Sequence, residues 1–141
     1  MSGENVEIVR RLYDAAARHD TAGVLDFYDP GIEWDISHAP ARKLMGAPHV
    51  FNGHEGLRTF FRQWYEAWKH VEPDLEELID GGEQIISVET TRSRGQTSGA
   101  LVELPHAAVW TFRGGKIVRV LWFGSRQEAL EAAGSRSRSP L

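Results

Sequence analysis

With 141 residues, 41% hydrophobic and 26% charged, the chain has the composition of one globular domain able to bury about two-thirds of its unfolded surface. A formal charge of −4 supplies no basic footprint for nucleic acid, and the absence of cysteine excludes disulfides, thiolate nucleophiles and zinc–thiolate centres. No charged and apolar leader opens the sequence, and no apolar run nears the roughly 20 residues that cross a bilayer, so a cytoplasmic protein with no membrane partner is expected.

In chain order, Ile8, Val9, Leu12, Tyr13, Ala16 and Ala17 recur at helical spacing and predict an amphipathic helix over Glu4–Arg18. Asp20 is placed to cap a shorter helix carrying Val24, Leu25, Phe27 and Tyr28. Asp29-Pro30-Gly31 then turns the chain into a strand on which Ile32, Trp34 and Ile36 share one face, and Glu33 and Asp35 the other. Periodicity disappears from Ser37 to Gly53, which predicts a loop punctuated by Pro40, Gly46, Pro48 and Gly53. A loop of that length beside an acidic strand suggests a lid or pocket wall.

Leu57, Phe60, Phe61, Trp64 and Trp68 predict a third helix with a broad aromatic stripe, closed by Glu72-Pro73-Asp74. Strands follow over Leu75–Asp80, Gln84–Gly95, Leu101–Phe112 and Lys116–Phe123, joined at Gly81-Gly82, Gln96–Gly99 and Gly114-Gly115. Successive hairpins of this kind imply an antiparallel meander. Ser125-Arg126-Gln127-Glu128 is a capping box for a last short helix stopped by Gly134, and 135–141 read as a disordered tail. One domain over 1–134 is expected.

The order of elements and the wording of Asn5–Arg11, Asp29–Trp34, Gly53–Arg58 and Trp110–Ile117 resemble the SnoaL-like branch of the nuclear transport factor 2-like superfamily, from about Asn5 to Gly134. The resemblance implies an α+β fold in which a curved antiparallel sheet of four to six strands wraps three helices into a cone with a pocket at its open end. It also implies pairing into a homodimer through the sheet face, a role that aromatic Trp122 and Phe123 suit. Activities on this fold range from isomerases, cyclases and epoxide hydrolases to binders without chemistry.

Counted without gaps from Asp29-Pro30, the resemblance puts Asp35 where ketosteroid isomerases hold their aspartate base. Their oxyanion tyrosine falls on Leu12, one short of Tyr13, and their protonated aspartate on Ala108. The full isomerase set is therefore absent. His106 lies two residues before Ala108, on the same strand face, and is a candidate proton relay.

The catalytic candidates are thus Asp35, His106 and Tyr13, with Trp64, Trp68, Ala108, Trp110, Val120, Trp122 and Glu33 as pocket liners. Several tryptophans in one cavity predict a flat, largely apolar ligand held by stacking. Alternation alone favours a solvent-facing Glu33 and Asp35, and a base would need apolar surroundings or a neighbouring acid. His38, His49 and His54 share the loop region without metal-site spacing, and no metal or cofactor is expected.

Three functions follow from these residues and the resemblance. The first is a cofactor-free isomerase, cyclase or lyase acting by proton transfer on a small cyclic or carbonyl substrate. The second is a non-catalytic small-ligand or dimerisation domain. The third is epoxide hydrolase-like activation of water, which asks for a second acid and an arginine.

Overall fold

The computed structural model describes residues 2–44, 48–95 and 99–137, the side chains at 2, 41, 44, 67–72, 93–95, 102 and 135–137 excepted. The expected turn at Gln96–Ser98, Met45 and Gly46 of the expected loop, and the tail beyond Ser137 lie outside the described residues.

Helices α1 (Ser2–Ala17), α2 (Gly53–Ala67) and α3 (Arg126–Ser137) accompany strands β1 (Tyr28–His38), β2 (Val50–Asn52), β3 (Trp68–Gly81), β4 (Gln84–Gly95), β5 (Leu101–Arg113) and β6 (Lys116–Phe123). The strands form one curved, unclosed sheet in the order β2-β1-β6-β5-β4-β3. The fold is α+β, as expected, but its sheet is mixed: β1 and β6 run parallel while every other neighbouring pair is antiparallel. A meander specifies its neighbours through local turns, whereas β1 and β6 come from opposite ends of the sheet region and share no turn.

Turn chemistry behaves as the sequence suggests. Gly114 (φ 59°) and Gly115 (φ 79°) both occupy the left-handed region that a two-residue hairpin of the primed type demands, between the paired Arg113 and Lys116. Ser125 caps α3, its Oγ accepting from Glu128 N–H at 3.2 Å.

Four expectations need correction. The second helix is a 3₁₀ segment, Ala22–Phe27, although Asp20 Oδ1 does accept from Gly23 N–H at 3.0 Å. Helix α2 ends at Ala67 rather than at Glu72–Asp74, and β3 begins at once with Trp68. Pro73 inside β3 is tolerated because β3 is an edge strand, where a missing N–H costs no ladder bond on the free side. Segment 37–53 is not one loop: β1 runs to His38, Pro40–Leu44 is 3₁₀, and β2 pairs antiparallel with β1 through Trp34↔Phe51. Helix α3 also passes Gly134 and reaches Ser137.

The sheet's concave face carries the main core. Ile32, Trp34 and Ile36 of β1, Trp110 and Phe112 of β5, and Val120 and Trp122 of β6 meet Val9 and Leu12 of α1 and Leu57, Phe60 and Trp64 of α2. Burying each large apolar side chain contributes about 1.5–3 kcal/mol. On the convex face a smaller cluster, Ile86, Val109, Leu121 and Phe123, lies beneath Ala129 of α3. The Arg126–Glu77 pair at 2.8 Å ties α3 to β3.

Candidate functional site

Strand β4 alternates Ile85, Ser87, Glu89 and Thr91 along the concave side, and the β4–β5 register sets Glu89 opposite His106 and Ser87 opposite Ala108. Cross-strand partners on one face stand about 4.5–5.5 Å apart, near enough for side chains to bond directly. Helix α1 lies over this region and lowers Tyr13 onto it. A carboxylate and an imidazole, each only 5% exposed, are thereby brought together in an apolar interior.

Hydrogen bonding within the group fixes its proton positions. Glu89 Oε1 lies 2.9 Å from His106 Nε2 and accepts from the Tyr13 hydroxyl. Thr91 Oγ1 stands 3.2 Å from Glu89 Oε2 and 3.3 Å from His106 Nε2. Since a carboxylate only accepts, Nε2 carries a hydrogen and Tyr13 donates. Tyr13 has one hydrogen, so the 2.8 Å bond to Ser87 Oγ must run from Ser87 to the phenol oxygen. Ser87 in turn accepts from Trp110 Nε1–H at 2.8 Å. The result is one directed chain, Trp110 to Ser87 to Tyr13 to Glu89, with His106 and Thr91 closing on the same carboxylate. Burial, and then the charge of Glu89, push the Tyr13 hydroxyl well above the usual tyrosine range and keep it a donor. Burial alone likewise raises Tyr65.

Two polar atoms beside this chain have no partner, His106 Nδ1 and Trp34 Nε1. Both residues line a cavity of about 80 Å³. A space of this size holds several waters or a small ring. Trp34, Phe60, Trp64, Trp110 and Trp122 form the buried walls, with Glu89, Thr91 and His106 among them. The more exposed Asp20, Thr21, Phe61, Tyr65 and Pro73 mark the mouth, where His19 stacks on Tyr65 at 4.2 Å.

The expected site residues divide sharply against this geometry. Tyr13, His106, Trp64, Trp110 and Trp122 line the cavity, and Leu12 joins them. Ala108 and Val120 are on the concave face but are packed into the core, outside the cavity lining. Trp68 starts β3, and its side chain is outside the described ones.

Asp35 and Glu33 require correction. The strand's period of two turns Trp34 into the cavity and therefore turns both acids onto the convex face. Asp35 is 7% exposed there, and its Oδ1 accepts from Ser37 N–H at 2.8 Å. Glu33 pairs with Arg119 at 3.6 Å. The apolar side of the alternation was the inward side, and it carries a cavity residue. No described residue of 37–53 lines the cavity. Of the histidines in and just after that segment, His54 Nε2 bonds the Tyr28 carbonyl at 2.9 Å and His38 stacks on Phe123 at 5.5 Å.

Glu89, Ser87 and Thr91 were not singled out from sequence, because Ile86 and Val88 make the other face of β4 look like the buried one. A signal existed. A hairpin midpoint set between positions 97 and 98 puts Glu89 directly across from His106, as the register confirms.

A family model described as "SnoaL-like domain" matches residues 9–120. Among solved structures, a nuclear transport factor 2-like protein of unknown function from Burkholderia pseudomallei is 26% identical, with TM-score 0.76, over 91% of this chain and 95% of that one. TerC, co-crystallised with polyporic acid, is 22% identical with TM-score 0.75, over 91% and 98%. A SnoaL-like polyketide cyclase, so named provisionally, from a Jannaschia species is 19% identical with TM-score 0.73, over 99% and 94%. No curated protein matches the chain. The family match spans most of the chain and coincides with the sheet and helices that build the cavity, and the chain therefore belongs to the SnoaL-like family of nuclear transport factor 2-like folds.

Proposed function

We propose that this chain is a cofactor-free acid–base catalyst of the isomerase or cyclase type, acting on a compact, flat, largely apolar molecule with a carbonyl group. The observation that carries the reading is the buried Glu89–His106 pair in the wall of an aromatic cavity. Glu89 holds the hydrogen of Nε2, so with Nδ1 unprotonated the ring presents a free lone pair there, the arrangement of a base oriented by a third group. His106 takes a proton from a carbon beside the carbonyl, Glu89 stabilises the imidazolium, and the same proton returns at another carbon. Bonds and electrons then balance without a further reactant. Tyr13 and Thr91 hold the carboxylate, and the tryptophan walls exclude water and stack on the substrate.

Deuterium exchange tests this reading without a known substrate. Small cyclic ketones incubated in D₂O should lose α-hydrogen signal faster with the protein, and His106→Asn should abolish the acceleration. Exchange untouched by His106→Asn in a folded variant overturns it.

One observation favours a binder instead: three donors already engage the Glu89 carboxylate, as in a purely structural polar core. Under that reading ketones bind and quench tryptophan emission, yet no exchange is accelerated. The epoxide-opening alternative lacks support, since no arginine lines the cavity among the described residues.

Pairing of two copies through the sheet face rests on the family resemblance. Trp122 and Phe123 are buried within one chain and ask for no partner. Light scattering that gives a strict monomer at micromolar concentration removes the dimer.

A further inference from the structure

Buried polar side chains without a hydrogen-bond partner are rare and costly, about 1–3 kcal/mol each, so each one asks for an explanation. Among the described residues three such atoms occur, and two of them, Trp34 Nε1 and His106 Nδ1, belong to cavity-lining residues. The two differ in kind. An indole N–H only donates, whereas Nδ1 of a neutral ring whose Nε2 donates to Glu89 only accepts. They are also neighbours in space. Trp34 of β1 faces Val120 of β6, which faces Trp110 of β5, so His106 stands two strands across and four residues along the sheet. Both rings pack on the same residue of that middle strand, Trp122, at centroid distances of 5.8 Å and 4.5 Å.

We infer that the ligand of this cavity supplies the two missing partners: an acceptor oxygen seated on Trp34 Nε1–H and a hydroxyl or N–H donor seated on His106 Nδ1, carried by one flat apolar ring that lies on Trp122. The inference shares its cavity with the acid–base reading but needs only binding; a ligand donor seated on Nδ1 must leave that lone pair before it can take a carbon-bound proton. Its content beyond that reading is Trp34, a specificity-determining donor contributed by the strand face first read as plain core. On this basis the class of ligand is a hydroxylated aromatic or enolisable ketone, or a lactam, rather than a hydrocarbon or a carboxylate. Glu89 within the wall and Asp20 at the mouth both repel an anion.

Four probes of matched shape separate the terms: ethylbenzene with neither group, 3-ethylphenol with the donor, acetophenone with the acceptor, and 3-hydroxyacetophenone with both. Titrations followed by NMR should rank 3-hydroxyacetophenone tightest and ethylbenzene weakest. Trp34→Phe keeps an aromatic ring and removes the N–H. It should weaken both ketones by three- to tenfold and leave ethylbenzene and 3-ethylphenol unchanged. A loss equal across the four probes, a ketone no tighter than its hydrocarbon, or no binding of any probe up to its solubility limit overturns the inference. Should Trp34→Phe fail to fold, the wild-type indole N–H resonance of Trp34 decides: it moves downfield with acetophenone and not with ethylbenzene, and a resonance indifferent to both sinks the proposal. Ketone discrimination through Trp34 without any deuterium exchange would retain this inference while removing the acid–base reading.

Discussion

Strand β4 carries a polar group on each side within four residues of chain, and the two sides obey different physics. Glu89 on the concave side is closed in with His106, Tyr13 and Thr91. Arg92 on the convex side bridges Asp74 at 3.0 Å and Glu103 at 2.9 Å, with all three side chains well exposed. Both are hydrogen-bonded carboxylate networks spanning neighbouring strands. Water competes for every bond of the outer network and far less for those of the inner one. Salt and side-chain entropy therefore erode the first, while the second stands or falls as a unit.

Substitutions on the two faces should expose that contrast. Glu89→Ala leaves the Tyr13 and Thr91 hydroxyls and the His106 imidazole without their acceptor, and is expected to cost about 3 kcal/mol of unfolding free energy. Urea denaturation measures it, and a loss below about 1 kcal/mol would mean water replaces the carboxylate and the inner network is no unit. Tyr13→Phe removes one donor from that carboxylate and leaves Ser87 still bonded to Trp110, so about 1–2 kcal/mol is expected in the same assay. Arg92→Ala should leave the urea midpoint unmoved within error, in low salt and in high. If the Arg92 substitution rivalled Tyr13→Phe, the comparison between the faces would be wrong.

Alkaline pH sharpens the same contrast. All three tyrosines of the chain, Tyr13, Tyr28 and Tyr65, are raised, each chiefly by burial. Below about pH 10 a tyrosine is neutral whether folded or unfolded, and pH leaves stability alone. Above it the unfolded chain releases those protons first, so the folded state loses stability as pH rises. Tyrosinate absorbance at 295 nm should therefore appear together with unfolding rather than ahead of it, and a separate early rise would contradict the buried placement. In Tyr13→Phe the decline of the urea midpoint between pH 9 and 11 should be shallower than in the parent chain.

Much of the fold was legible because hydrophobic period is a local property. Leu57, Phe60 and Trp64 announce α2 by spacing alone, and Gly114-Gly115 announces its hairpin by needing positive φ. What stayed illegible is non-local. Nothing near Ile32–Ile36 says that β6 will lie beside it in parallel, and nothing near Trp68 says that an edge position will forgive Pro73. The candidate site failed for a related reason. Asp35 draws attention because the resemblance sets it at a base position, yet alternation already gives the inward place to Trp34, as side-chain volume and transfer energy dictate. Glu89 was inconspicuous because its worth comes from partners distant in sequence: Tyr13 lies 76 residues away. Helix and strand periodicity sets Tyr13, Trp64, Trp110 and Trp122 on core-facing sides, the resemblance draws attention to His106 beside Ala108, and all five line the cavity.

The parallel join of β1 to β6 also sets the order in which this protein can come into being. Residues 28–38 must wait for residues 117–123 before their inner edge is paired, and the intervening hairpins close on themselves much sooner. Contacts of such long sequence separation are made late and slowly. During synthesis Trp34 can meet Phe60 and Phe61 early, but its sides facing Trp110 and Trp122 stay uncovered until nearly the whole chain has followed. The cavity is therefore among the last features to exist, and the indole that lines it is, for that interval, a sticky surface in need of shelter.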